Sequence, residues 1–137
     1  MKTLVIGAAI IDIIMKIKRL PKSGEDILCS ETVSAVGGCA YNVAGTLRGF
    51  GVDHDLFVPV GRGMYGDMIA GDLEKLGYQI LIREEESDNG YCLCLVEEDG
   101  ERTFITVKGA EGRFRPSWFE QLSQYSYDSI YVAGYQV

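Results

Sequence analysis

The sequence holds only one histidine, His54, in 137 residues. Its four cysteines, Cys29, Cys39, Cys92 and Cys94, form no C-x-x-C pair. One imidazole and scattered thiols do not complete a zinc set. They read instead as buried thiols of a reducing compartment, the cytoplasm. Cations are also scarce. Lys and Arg number 13 against 20 Asp and Glu, a formal charge of −7. That excludes a protein built to track a phosphate backbone, which needs clustered positive charge. No long apolar run exists. The longest, Leu4 to Ile11, falls far short of the roughly 20 residues a membrane-spanning helix requires. Asp12 and further isoleucines follow it with no small-residue cleavage site, so it does not read as a signal peptide. There is no internal repeat, no low-complexity stretch and no G-x-x-x-x-G-K-[ST] loop.

What is present is an apolar, glycine-rich chain. Hydrophobic residues make up 47% and charged residues 24%, the balance of one folded domain or a piece of one, and 17 residues are glycine. Lys2–Gly7, Ile10–Ile17 and Ile27–Val36 read as strands. Val43, Leu47 and Phe50 recur at helical spacing, which predicts a helix over Tyr41–Phe50. Leu56–Val60 is a strand. Met64–Leu76 is a helix burying Tyr65, Met68, Ile69, Leu73 and Leu76, with Gly77 past its end. Gln79–Arg83 is a strand. This alternation is the signature of a parallel sheet covered by helices. The rhythm then breaks. Tyr91–Val96 and Thr103–Val107 form a hairpin around Asp99-Gly100. Tyr91, Leu93 and Leu95 face one way and Cys92, Cys94 and Val96 the other, so both faces are apolar, unlike a solvated hairpin. Pro116 opens a short helix to about Gln121, and Tyr125–Ala133 returns to strand.

Three constellations could carry chemistry. Gly61-Arg62-Gly63-Met64-Tyr65-Gly66 matches G-x-G-x-x-G between a strand and a helix, with Glu84 and Glu85 about 20 residues on. That pattern fits an NAD-binding turn or merely a tight strand-to-helix connection. Asp12 sits inside Ile10-Ile11-Asp12-Ile13-Ile14. A carboxylate there either caps a nearby backbone group or faces a ligand, accepting hydrogen bonds from polyol hydroxyls. Gly37-Gly38-Cys39-Ala40-Tyr41-Asn42 spans a strand-to-helix junction. Its glycines let backbone N–H groups approach a ligand, and Asn42 offers one amide; a plain Gly-Gly turn capped by Asn42 is the alternative.

Taken in order, these segments resemble the PfkB, or ribokinase-like, carbohydrate kinases. Gly7 through Asp12 is similar to that family's first strand and turn, which ends in a substrate-binding Asp. Pro21-Lys22-Ser23-Gly24-Glu25 resembles its P-x-x-G-E. Gly37-Gly38 through Asn42 and Ala44 resembles G-G-x-x-x-N-x-A. Gly61 through Asp67 resembles the V-G-x-D-x-x-G turn, a structural role for that glycine pattern. Gly109-Ala110-Glu111 resembles the segment leaving the lid. Ile10, Cys39 and Gly63 depart from the Asn, Lys and Asp of ribokinases proper, so the resemblance does not extend to ribose as substrate.

The resemblance implies an α/β fold: a parallel, Rossmann-like sheet with helices plus a small β-sheet lid, with lid segments at about 18–36 and 88–110. It implies transfer of the ATP γ-phosphoryl group, with Mg²⁺, to a hydroxyl of a sugar or nucleoside. The acceptor would be held by Asp12, Gly37, Gly38, Cys39 and Asn42, and the lid would pair in a homodimer. Nucleic acid and membranes are not expected partners. The family's catalytic Asp lies in a G-A-G-D motif that this sequence lacks. Residues 1–137 therefore read as the N-terminal part of one kinase domain, with the base expected beyond Val137 and no turnover by this chain alone. The two rival readings are an NAD-dependent oxidoreductase using Gly61–Gly66 and a non-catalytic polyol-binding or oligomerisation module.

Overall fold

The computed structural model describes residues 1–134; Tyr135, Gln136 and Val137, the end of the expected 1–137 unit, lie outside the described residues. A parallel core is built on β1 (Thr3–Ile6), which lies between β4 (His54–Phe57) and β9 (Ser129–Val132). Every residue of β1 is buried, as expected for a strand hydrogen-bonded on both sides and covered on both faces. Only Val58 separates β4 from β5 (Pro59–Val60), which pairs in parallel with β6 (Ile82–Arg83).

Two helices pack on this core. In α1 (Cys39–Gly49) the buried residues are Ala40 and Ala44. In α2 (Met64–Lys75) they are Gly66, Ile69, Ala70 and Leu73. The expected Ile69 and Leu73 are buried, and Val43, Leu47 and Tyr65 pack half-buried against the same core, whereas Phe50 and Met68 are exposed and Ala40, Ala44, Gly66 and Ala70 complete the buried faces. Tyr41 of α1 donates its hydroxyl to Asp72 of α2 at 2.5 Å, tying the helices together. On the other side of the sheet Phe57, Phe114, Trp118 and Phe119 form an aromatic cluster under α3 (Pro116–Glu120).

The second sheet has four strands in the order β3 (Glu31–Gly37), β2 (Ile10–Lys16), β7 (Tyr91–Val96) and β8 (Arg102–Val107). It contains the expected hairpin, and it also takes in Ile10–Lys16, outside the segments anticipated at about 18–36 and 88–110. The chain leaves the parallel core at Gly7 and enters this sheet directly. The strand ahead of α1 is consequently antiparallel to β2 and not a member of the parallel sheet. Three expected strands are shorter than their composition suggests, because partners run out. Ladder pairing with β2 ends at Lys16 and Glu31, and ahead of it the Ser30 N–H donates to the Lys16 carbonyl at 2.8 Å outside the ladder. Ladder pairing with β1 begins at Thr3 and Ser129, and ahead of it the Asp128 N–H donates to the Lys2 carbonyl at 2.9 Å outside the ladder. Only Ile82 and Arg83 of the expected Gln79–Arg83 find β5.

Candidate functional site

Asp12 lies mid-strand in β2, where register decides its company. It stands opposite Ala35 on one side and Cys92 on the other; Cys92 in turn stands opposite Thr106. Directly paired residues share a face, so Asp12 has small side chains across both neighbouring strands, with Ile10 and Ile14 beside it on its own. Its carboxylate occupies the space a Cβ at Gly37 would need. No hydrogen bond or opposite charge supports it among the described residues. Burial alone pushes its pKa up from the ordinary carboxylate value.

Gly37 and Gly38 then turn the chain into α1. Gly38 has φ 102°, which side chains rarely tolerate, and a Cβ there would strike the Ala8 carbonyl. Gly38 is also the N-cap residue and offers no side-chain cap, so the first N–H groups of α1 are left open. Gly38 and Cys39 line a cavity of about 310 Å³ together with Ala8, Ile10, Thr106, Lys108 and Ala133. The cavity lies where the parallel core meets the four-stranded sheet. Thr106 and Lys108 escape a reading of the sequence by motif. Their signal is positional: Thr106 stands opposite Cys92 on the face that carries Asp12, and Lys108 follows two residues later, just past the end of β8.

Asn42 stands one turn further along α1, exposed, and lines a separate hollow with Tyr41, Gly45 and Thr46. Gly37, Gly38, Cys39 and Asp12 thus come together, and Asn42 stands at their margin. The cysteines do not all match the expectation of buried thiols. Cys92 and Cys94 are buried, and burial pushes the Cys94 thiol up. Cys29 is half-buried in the unpaired segment before β3, and Cys39 is exposed at the cavity.

The glycine pattern at Gly61–Gly66 is structural. The Asp88 carboxylate fills the N-terminus of α2, accepting from the backbone N–H of Tyr65 at 3.2 Å and of Gly66 at 2.6 Å. A Cβ at Gly61 would overlap the Ser87 carbonyl, and one at Gly63 would overlap Asp88. The place a pyrophosphate would take is therefore occupied by the protein's own loop. The two candidate ribose acids are engaged as well. Glu85 pairs with Arg62, and buried Glu84 pairs with Arg115 at 2.7 Å. The NAD reading is overturned on this geometry.

Among the described residues no group of three or more His, Cys, Asp or Glu side chains could hold a metal ion. No helix among them is long and apolar enough to cross a membrane.

A parallel core with helices, carrying a four-stranded sheet beside a Gly-Gly helix start, defines a ribokinase-like α/β fold. The structure of ribokinase from Giardia lamblia superposes with a TM-score of 0.84 at 25% identity, covering 96% of this chain and 41% of that one. The Arabidopsis thaliana ribokinase solved with ribose and ATP gives 0.75 at 23% identity, covering 96% of this chain and 44% of that one. The profile of the pfkB family carbohydrate kinases matches residues 1–137, and the chain belongs to that family. It is 40% identical over 134 residues to an uncharacterized sugar kinase of Escherichia coli K12, YegV, covering 98% of this chain and 42% of that protein. The chain thus spans about two fifths of the length of these relatives.

Proposed function

We propose that this chain is the acceptor-binding part of a sugar kinase that transfers the γ-phosphoryl group of ATP to a hydroxyl of a sugar or nucleoside. The observation that carries the reading is the Asp12 carboxylate, partly buried and unpartnered beside the open N-terminus of α1. A carboxylate so placed gains most from two vicinal hydroxyls, each donating a charge-assisted hydrogen bond. The Gly38 turn lets the acceptor lie against backbone, and Asn42, at the margin of this group, contacts only an acceptor that extends beyond the cavity along α1. Cys39 and Ile10 give the cavity wall a less polar character than a ribose site, which favours a different sugar. The ribokinase complex with ribose and ATP supports both the substrate class and the phosphoryl donor.

Phosphoryl transfer depends mainly on positioning and on stabilising charge at the transferring group. These residues position. A group that holds acceptor hydroxyls is not aimed at the proton of the attacking one, so Asp12 is not the base. The base, the anion hole and the ATP and Mg²⁺ sites fall to residues outside this chain, and the chain alone is expected to turn over nothing. The four-stranded sheet acts as the lid over the acceptor and pairs with a second copy in a homodimer. The free thiols suit a reducing compartment such as the cytoplasm.

The test is Asp12→Ala in the full-length kinase, assayed by ADP release over a panel of sugars and nucleosides. One charge-assisted hydrogen bond is worth roughly 1.5–3 kcal/mol, so kcat/KM for the acceptor should fall at least about tenfold. Unchanged kinetics in a folded variant would remove Asp12 from the site.

A further inference from the structure

The four-stranded sheet is joined to the parallel core by four chain crossings, and one buried polar pair touches three of them. Glu111 is 1% exposed and Asn89 is 4% exposed. One Glu111 oxygen, Oε2, accepts from the Gly90 N–H at 2.8 Å, where the chain enters β7. The other, Oε1, accepts from the Gly109 N–H at 2.9 Å, where the chain leaves β8. Asn89 donates from Nδ2 to the Ala9 carbonyl at 3.3 Å, where the chain enters β2, and to Glu111 Oε2 at 3.3 Å. The same amide reaches the core: Nδ2 donates to the Pro59 carbonyl at 3.0 Å, and Oδ1 accepts from the Gly61 N–H at 2.6 Å.

No side chain fits between the crossings. A Cβ at Gly90 would overlap the Val107 carbonyl, and one at Gly109 would overlap the Gly90 nitrogen. Glycines leave these points torsionally loose, so something else must fix their angle. A buried carboxylate without a cation is costly, yet here its charge is held by N–H donors of the two crossings it joins. The fourth crossing, Gly37-Gly38, packs on the Ala8 carbonyl one residue from Ala9.

We propose that Glu111, acting with Asn89, is a hinge pin: a positioning residue that sets the angle of the four-stranded sheet over the acceptor cavity. The proposal rests on the reading of that sheet as the lid. Neither residue lines the cavity, so their effect on the acceptor is exerted through the crossings.

The test is hydrogen exchange of the full-length protein without acceptor, comparing wild type with Glu111→Gln. The amide keeps the size of the side chain but turns a donor toward one of the two backbone N–H groups. Exchange over residues 91–107 should rise about tenfold, with α1 and α2 unchanged within about twofold. The acceptor KM should rise roughly fivefold while kcat changes less. Unchanged exchange in the hairpin overturns the proposal. A rise shared equally by hairpin and helices also overturns it, since that is the mark of a core group with no hinge role. Should the variant not fold, wild type decides. Its Gly90 and Gly109 amides are expected to be as protected as α1, and exchange at hairpin-tip rates overturns the hinge pin. Asp12→Ala run alongside separates the two ideas. If Asp12→Ala alone raises the acceptor KM, the hinge fails and the acceptor site stands. If Asp12→Ala has no effect while the hairpin loosens in Glu111→Gln, the lid reading fails and the pin remains structural.

Discussion

Asp12 is a carboxylate kept where the fold disfavours its charge. Burial raises its pKa, so the folded protein holds that proton more tightly than the unfolded chain does. The stability linked to it is fully present below the ordinary carboxylate value of about 4 and is lost as pH rises through the raised value. Asp12→Asn removes this penalty and keeps the shape. Its Tm at neutral pH should equal or exceed that of the wild type, with the gap closing as pH falls toward 4, while the acceptor affinity drops. Thermal melts across that range check the first part. A lower Tm for the variant at neutral pH would show that Asp12 stabilises the fold as an ordinary cap. Glu25 behaves oppositely. Arg19 beside it holds its carboxyl down at about 2, so its contribution is present at neutral pH and is lost only as pH falls toward that value.

At the scale of elements, the two helix N-termini divide the work. α2 is closed by Asp88, which arrives from a loop more than 20 residues later and satisfies two N–H groups. α1 begins on a glycine with nothing to cap it. An open N-terminus favours electron-rich ligand atoms, whereas a closed one only anchors a loop. Asp88→Ala should cost about 1 kcal/mol, the usual price of a lost helix cap, and lower Tm by a few degrees without changing acceptor KM. Denaturant unfolding measures the first and steady-state kinetics the second. Titration of the wild type with NAD should show no saturable binding.

For the molecule as a whole, the two faces of the four-stranded sheet have different surroundings. Cys92 and Cys94 are buried on the face that carries Asp12. Leu93 and Leu95 lie on the opposite face and are only half-buried, and there Ile105 and Val107 of β8 are 52% and 44% exposed. An apolar surface of this kind fits association with a second copy. Leu93→Asp with Leu95→Asp should shift the full-length protein from dimer to monomer in sedimentation, whereas Cys92→Ser with Cys94→Ser should leave it dimeric. A wild type that is monomeric at high concentration would refute lid pairing.

The positions of the helices and strands, though not all their lengths, and the class of protein were legible from neighbouring residues alone. Isoleucine-rich runs, helical spacing at Val43 and Leu47, the Asp99-Gly100 turn and the Gly-Gly junction are near-neighbour signals, so they survive without knowledge of the fold. The ordered motifs from Gly7 to Glu111 carried the family. Tertiary structure decided what depends on distant partners. Strand length followed the partner's length, as at Glu31 and Ser129. Membership of β2 in the second sheet followed from the chain turning away at Gly7, which composition cannot encode, because an isoleucine-rich strand suits either sheet. The closing of α2 by Asp88 and the joining of Gly90 to Gly109 by Glu111 required residues separated along the chain to meet, and only the packed fold brings their atoms within hydrogen-bonding reach.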